Sequence, residues 1–427
     1  MHRKNLLVFL SISALLLNFV TGCGNNDRQA AEQPAGQQEA APLNTDNQQQ
    51  EPTEVEKPRQ KIRTITKFYG GQEYVAYDID PPLKNVPLSE IQKRAEANDP
   101  AAVNELGRRY VHGQGIPEDL PRGFALGEKA AQMGDVDALN DMGLAYKNGI
   151  YFEKDLKKAV AYFKRAAEQG DAIAQGNLGM AYAFGNGVDQ DYNQAFYWTL
   201  KAAKQGLPVA QNNVGYLYDF GQGVPQNKSI ALVWYSKAAE QGYAEAQFNL
   251  ACSYNDGNGV AIDYEKAIKW YREAANQGLA KAQHNLGNMY YGGFGIEENF
   301  VEAVYWYRKA ASQNLAAAQT NLGRAYLLGQ GVQADYAEAY SLFLKSAKQG
   351  DPGGFFNLGQ LYEHGGHVSQ DSIKAYAYYS LSLLENSEIQ KPALESLNDL
   401  KTRMTPGEIQ AGEQETKKLV QEYGLGG

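Results

Sequence analysis

A tyrosine returns every 36 residues along two thirds of this chain, at Tyr110, Tyr146, Tyr182, Tyr218, Tyr254, Tyr290, Tyr326 and Tyr362. Three residues before each stands a glycine, Gly107, Gly143, Gly179, Gly215, Gly287, Gly323 and Gly359, with Ala251 as the one exception. No insertion or deletion interrupts the count. Self-similarity at a fixed period of this length marks a repeat array, in which one helical or strand unit cannot bury its apolar face alone and stacks on the next copy. A chain of 427 residues built this way grows by addition, so its length does not translate into a number of separate globular domains.

Within each copy the apolar spacing predicts two helices. In the first, Ala, Leu, Gly and Tyr at offsets −5, −1, 0 and +3 from the repeat glycine form one stripe of a 3.6-residue period. A Gly-x-Gly turn follows, as at Gly185/Gly187, Gly221/Gly223 and Gly329/Gly331, where glycine supplies the positive φ that ends a helix. None of these turns continues into Gly-x-x-Gly or Gly-Lys-Ser/Thr and none follows a predicted strand, which excludes a phosphate cradle. Asp155, Asp191, Asp263, Asp335 and Asp371 are placed to cap the second helix. That helix carries all four tryptophans, Trp198, Trp234, Trp270 and Trp306, in one slot and closes on Ala-Ala-x-Gln-Gly. A ring renewed once per repeat reads as a packing element.

The combined pattern, Ala-Gln-x-Asn-Leu-Gly-x-x-Tyr, Gly-x-Gly-Val and Ala-x-x-Trp-Tyr-x-Lys-Ala-Ala-x-Gln-Gly, resembles the Sel1-like repeat family, a relative of the tetratricopeptide repeats with a longer, Gly-rich turn. Tyr151 and His367 depart from it at the second turn glycine, Ala251 at the helix glycine, and Leu126 and Leu342 at the aromatic slot. The resemblance implies an all-α fold, an α/α right-handed superhelical solenoid of eight 36-residue helix-turn-helix repeats over residues 99–386, closed by a C-terminal helical cap over 387–427. In that cap Thr405-Pro406-Gly407-Glu408 supplies an N-cap, a proline at the first helical position and a glutamate at the third, a strong helix start.

The N-terminal side has three parts. Residues 1–22 read as a secretory signal, with a cationic start at Arg3 and Lys4 and an apolar run from Leu6 to Val20. Val20-Thr21-Gly22-Cys23 resembles the lipobox of bacterial lipoproteins, which implies lipidation of Cys23 and a lipid-anchored protein of the bacterial cell envelope facing the periplasm. Gly24, rather than Asp, after the cysteine favours the outer membrane. Residues 23–60 are Gln, Ala, Pro, Asn and Glu with almost no large apolar side chain, a disordered tether with a reach of about 35 Å. Residues 61–98 are expected to cap the array with a hairpin, its two runs separated at Gly70-Gly71, and a helix over 88–97 with Ser89 as N-cap.

Chemistry is scarce. With 40 basic and 49 acidic residues the net charge is −9, which weighs against nucleic-acid binding. His364 and His367 stand three apart without further ligands at suitable spacing and read as a surface loop, so no metal or cofactor is expected. Some Sel1-like proteins are linked to β-lactam hydrolysis, but no Ser-x-x-Lys occurs to supply an acylating serine and its base. The chain is therefore expected not to be an enzyme. By analogy with tetratricopeptide repeats, the first helix of each pair lines a concave groove with offsets −3, +1, +4 and +5 facing in. The candidate binding residues are Asn212, Phe248 and His284 at −3, Tyr216, Asn288 and Arg324 at +1, and Tyr291 and Phe220 at +4 and +5. Asn140, Thr320, Phe356, Arg108, Asp219 and Phe184 share these slots. The expected function is a protein–protein interaction adaptor that binds a protein or peptide in the groove and touches the membrane through its N-terminal lipid only. A cell-wall or glycan-binding or hydrolytic envelope protein and a structural spacer are the competing readings.

Overall fold

The computed structural model describes residues 63–69, 72–78, 83, 85–384, 387 and 389–425. The signal segment, Cys23 and the tether lie outside the described residues. Strands β1 (Arg63–Tyr69) and β2 (Gln72–Asp78) pair antiparallel from Tyr69–Gln72 back to Arg63–Asp78, the expected hairpin. Helix α1 (Leu88–Glu96) follows, with Pro87 rather than Ser89 at its N-cap and no side-chain cap bond.

The repeats fall into two compact units divided between Ala246 and Gln247. In the first, α2 (Pro100–His112) pairs with α3 (Leu120–Gln132), α4 (Val136–Asn148) with α5 (Leu156–Glu168), α6 (Ala172–Phe184) with α7 (Tyr192–Lys204), and α8 (Pro208–Phe220) with α9 (Lys228–Glu240). The second takes most of α10 (Ala244–Asp256), then α11 (Tyr264–Asn276). It continues with α12 (Ala280–Gly292) and α13 (Phe300–Ser312), α14 (Ala316–Leu328) and α15 (Tyr336–Ala347), and α16 (Pro352–His364) and α17 (Ser372–Leu381). Helices α18 (Gln390–Arg403) and α19 (Pro406–Tyr423) close it. From α2 to α17 the even-numbered helices are the first of each repeat and the odd-numbered ones the second. The array is an all-α solenoid of helix pairs.

The local chemistry explains why each copy folds alike. Asp155, Asp263 and Asp371 accept from the backbone N–H three residues on, at 2.9, 3.0 and 3.0 Å, satisfying an amide that a helix start leaves open. The repeat glycine lets the two helices of a pair touch. A Cβ at Gly215 would stand 2.7 Å from the Tyr235 ring, and one at Gly323 would stand 2.6 Å from Phe343. The ring filling this slot follows the tryptophan in sequence: Tyr235, Tyr271 and Tyr307 are 2%, 1% and 2% exposed. The tryptophans are less uniformly interior, with Trp234 and Trp270 only half-buried. Lysine ammonium groups lie 4.5 to 5.0 Å from the Trp234 and Trp270 rings. The second turn glycine serves stacking between copies, because a Cβ at Gly331 would meet the Phe300 carbonyl oxygen at 2.1 Å.

A glutamine ladder joins successive copies, and it accounts for the Ala-Gln and Gln-Gly signatures. In the first unit Gln205 donates to Gln175 at 2.9 Å and Gln241 to Gln211 at 2.7 Å. In the second, Gln277 donates to Gln247 at 2.7 Å, and Gln313 to Gln283 and Gln349 to Gln319 at 2.9 Å each. The inner glutamine also donates to a helix-end carbonyl, as Gln283 does to Ala275 at 3.1 Å. In copies one, two and eight the inner slot holds Val103, Leu139 or Phe355, all buried.

Both units are closed at their free ends. Arg109 donates to the carbonyls of Leu83 and Val86 at 3.3 and 2.7 Å and pairs with Glu105, tying the segment before α1 to α2. At the other end Thr405 and Glu408 form the expected capping box at the start of α19. A Cβ at Gly412 would meet Tyr376 at 2.6 Å, so α19 lies directly against α17.

Candidate interaction surface

Contacts between successive first helices define which slots share a face. On the first unit, Arg108 Nε lies 2.6 Å from Asp141 Oδ2, and Asn213 Nδ2 lies 3.1 Å from Met180 Sδ. Both contacts join the +1 slot of one copy to the −2 slot of the next. On the second unit the same relation joins Asn288 Oδ1 to Asn321 Nδ2 at 3.0 Å.

The first unit presents this face to solvent. Met180, Phe184 and Phe220 are 37%, 58% and 44% exposed, and the Tyr216 ring lies 4.4 Å from Phe220. Tyr216 and Phe220 therefore form a ring pair at the surface, and Phe184 holds the place equivalent to Phe220 one copy earlier. Asn212 does not belong with them. At 8% exposure it is interior.

The second unit treats the same slots differently. Phe248, His284 and Asn288 are 8%, 4% and 8% exposed and pack inside rather than line an open groove. His284 Nε2 meets Asn321 Nδ2 at 3.0 Å, and Asn288 Oδ1 also accepts from Tyr307 Oη at 2.8 Å. Burial pulls the His284 imidazole down to about 4, so it is neutral at pH 7. Tyr291 donates to Gln330 at 2.9 Å and packs edge-on against Phe300, leaving it partly exposed. Arg324 is also partly exposed. His284 and Asn288 thus join Asn321 and Tyr307 in a buried polar cluster, Phe248 packs against Tyr271 in the apolar core, and Tyr291 and Arg324 stay partly exposed.

The physical reason for the misplaced residues is the −3 slot itself. It is buried in every copy that carries a side chain there: Asn104, Asn140, Asn212, Phe248, His284, Thr320 and Phe356 are all at most 8% exposed. It meets the residue that starts the next first helix. Asn140 donates to Asp171 at 2.7 Å and Thr320 to Asp351 at 2.7 Å. The small Gly176 in the same slot leaves room for Leu207, 3.3 Å from a Cβ built there.

Among the described residues no three His, Cys, Asp or Glu side chains are grouped to hold a metal. His364 lies 3.8 Å from Glu363, which is engaged by Arg403 and by the Tyr379 hydroxyl at 2.6 Å, and the His367 ring packs 5.6 Å from Tyr340. The Arg403 contact fastens α18 to the last repeat, and the His367 ring joins that repeat to the one before it. No helix among the described residues is long and apolar enough to cross a membrane.

The Sel1 repeat model matches residues 100–135, 136–171, 172–207, 208–243, 244–279, 280–315, 316–351 and 356–387. The chain belongs to the Sel1 repeat family. A Sel1 repeat protein from Oxalobacter formigenes, solved by crystallography, is 32% identical over 73% of this chain and 90% of its own, with a TM-score of 0.54. The protective antigen c5321 of uropathogenic Escherichia coli, described as displaying an SLR fold, is 28% identical over 79% of this chain and 95% of its own, with a TM-score of 0.29. No curated protein matches the chain.

Proposed function

We propose that this Sel1 repeat chain is an interaction adaptor of the bacterial envelope, anchored by lipid on Cys23 and facing the periplasm. Its partner is a protein or peptide bound on the outward face of the first helices. The observation that carries this reading is a contrast between slots. The glycine and tyrosine slots of the core repeat nearly unchanged from copy to copy, whereas the +1 and +5 slots of the first unit change from Arg108 and His112 to Leu144 and Asn148, Met180 and Phe184, then Tyr216 and Phe220, with Phe184 and Phe220 58% and 44% exposed. Exposed aromatic rings with few rotatable bonds are what protein interfaces concentrate. Family membership supports a scaffold role rather than catalysis, and the lipobox and the long polar tether support display away from a membrane surface. Gly24 after the cysteine favours the outer membrane over the inner one.

Two comparisons test it. In-cell crosslinking followed by capture should recover a discrete protein from wild type and lose it from a Phe184→Ala, Tyr216→Ala, Phe220→Ala variant that melts normally. Recovery of the same partner from both would move the binding site elsewhere. Recovery of none would favour glycan binding or a spacer role. Separately, Cys23→Ser should release the chain from membrane fractions, and persistent membrane attachment would refute the anchor.

A further inference from the structure

Charge is divided unevenly between the two helix layers of the first unit. On the second helices α3, α5, α7 and α9, ten Lys and Arg stand against Glu128, Glu168 and Glu240, whereas the first helices α2, α4, α6 and α8 hold three basic and four acidic residues. The overall charge of −9 hides this division. Lys129, Arg165, Lys201 and Lys237 occupy one slot, 36 residues apart, and all four are exposed. Arg165 Nη2 donates to the Ala131 carbonyl at 2.8 Å, so consecutive second helices lie side by side and these cations share a face. Apolar groups stand among them. Lys201 Nζ lies 4.4 Å from the Tyr197 ring centre, and Lys237 Nζ lies 4.5 Å from that of Trp234. Tyr197, Ile230 and Val233 are 48%, 38% and 52% exposed. Ile230, Val233 and Lys237 follow at steps of three and four residues, one stripe of α9, and Tyr197 and Lys201 hold the matching stripe of α7.

The helices themselves do not call for this charge. A cation in the last turn complements a helix C-terminus, which accounts for one residue per helix. At the other end the same dipole favours carboxylates, yet none of the four first turns holds one. Arg122, Lys157, Lys158 and Lys228 stand there instead. The capping Asp155 lies 4.0 Å from Lys158. Counting Asp119, Asp155 and Asp191, the caps of α3, α5 and α7, still leaves this layer an excess of four positive charges. Cations near both helix ends, about 10 Å apart along each axis and about 10 Å from one helix to the next, form a grid. Charges at that spacing do not converge on one small anion. They match a partner whose negative charges also repeat in two dimensions.

We infer that this face lies on the headgroup layer of an anionic phospholipid bilayer, with Lys129, Arg165, Lys201 and Lys237 at the phosphates and Tyr197, Ile230 and Val233 entering the interface between them. Amphipathic rings and long lysine stems with a charged tip are the side chains that a membrane interface selects. A linear polyanion would use the charges and leave the apolar groups in water. The contact is independent of the adaptor reading. It adds a second membrane contact to the N-terminal lipid, and it leaves the first-helix layer, with Phe184 and Phe220, open to a protein partner.

The test is flotation of the full-length chain with vesicles of phosphatidylcholine alone or mixed with phosphatidylglycerol. Wild type should prefer the anionic vesicles by at least about tenfold, because each basic residue at such a surface is worth roughly fivefold in affinity, and salt should erase the preference. A Lys129→Gln, Arg165→Gln, Lys201→Gln, Lys237→Gln chain that melts normally should lose most of it. Residues 1–23 contribute equally to both chains, so the comparison isolates the face. A Tyr197→Ala, Val233→Ala chain should bind anionic vesicles more weakly yet still prefer them. Brief acetylation of wild type, read by mass spectrometry, needs no variant. Anionic vesicles should slow it at Lys129, Lys201 and Lys237 and not at the exposed Lys147 of α4. An unchanged preference in the Gln chain, or equal slowing at Lys147, overturns the inference. So does capture of a protein that is lost with the same four substitutions while the lipid preference stays, which would make the occupant an acidic protein.

Discussion

Replacing Gly215 by alanine sets two effects of opposite sign against each other. In a helix interior the change gains up to about 1 kcal/mol of intrinsic propensity. Against it, the new Cβ would stand 2.7 Å from Cδ1 and Cε1 of Tyr235 and 3.2 Å from the Ala231 carbonyl oxygen. Carbon atoms rest about 3.5–4.0 Å apart, so the ring or the helix must retreat by nearly 1 Å. Tyr235 is 2% exposed and has no open space to swing into. Forcing an extra carbon into a filled core costs about 1–3 kcal/mol, so overpacking wins. Gly215→Ala should destabilise by about 0.5–2 kcal/mol net, and Gly215→Leu by about 3 kcal/mol or more. Ala251 supplies the reverse experiment. There a methyl already occupies the slot at 0% exposure, in one cluster with Tyr271. Ala251→Gly should cost about 1–2 kcal/mol, from lost propensity and a lost buried methyl. Urea and thermal unfolding read both changes. Hydrogen exchange across α8 and α9 localises the first, because a repeat array need not unfold in one step. A Gly215→Ala chain stabilised by the whole propensity gain would refute the argument, since it would mean the Tyr235 ring yields without cost.

The second unit should show a pH dependence traceable to His284. Its folded value of about 4 lies below the ordinary 6.5. Between those values the unfolded chain binds the proton and the folded chain does not. Stability is therefore fully present above about pH 6.5 and falls towards pH 4, by up to about 3 kcal/mol. His284→Phe, which matches Phe248 and Phe356 in sibling copies, should flatten that slope in unfolding measured across pH 4 to 6.5; an unchanged slope would assign it to other groups. For the glutamine ladder, Gln283→Leu should lie within about 1 kcal/mol of wild type, because Ala275 also accepts from Gly278 at 3.0 Å and Gln313 remains in contact with water. Gln283→Ala should cost about 1–3 kcal/mol through the space it leaves, and equal losses for the two would show that the hydrogen bonds, not the volume, hold this joint.

The architecture could be read from the sequence because its causes are local and repeated. A capping aspartate, a turn glycine and a glycine too close to a ring each act within one copy, and eight copies vote on each position. The outward face could not be read the same way. Asn, Phe, His and Thr alternate at the −3 slot, and variation of that kind looks like a surface released from packing. The structure gives it another origin. Each −3 side chain meets whatever begins the next first helix, so Asn140 and Thr320 answer the carboxylates of Asp171 and Asp351, and Gly176 answers the bulk of Leu207. Variation there follows a partner 31 residues on within the same chain, not a ligand. The spacing is present in the sequence, but its meaning depends on knowing that the two positions touch. At +5 the signal runs the other way. Phe184 and Phe220 are apolar yet exposed, in a slot where His112 and Asp256 are polar and also exposed. A ring kept largely in water where a polar group is equally tolerated adds little to the core of its copy, and this exposure, more than variability alone, is what marks the proposed binding face.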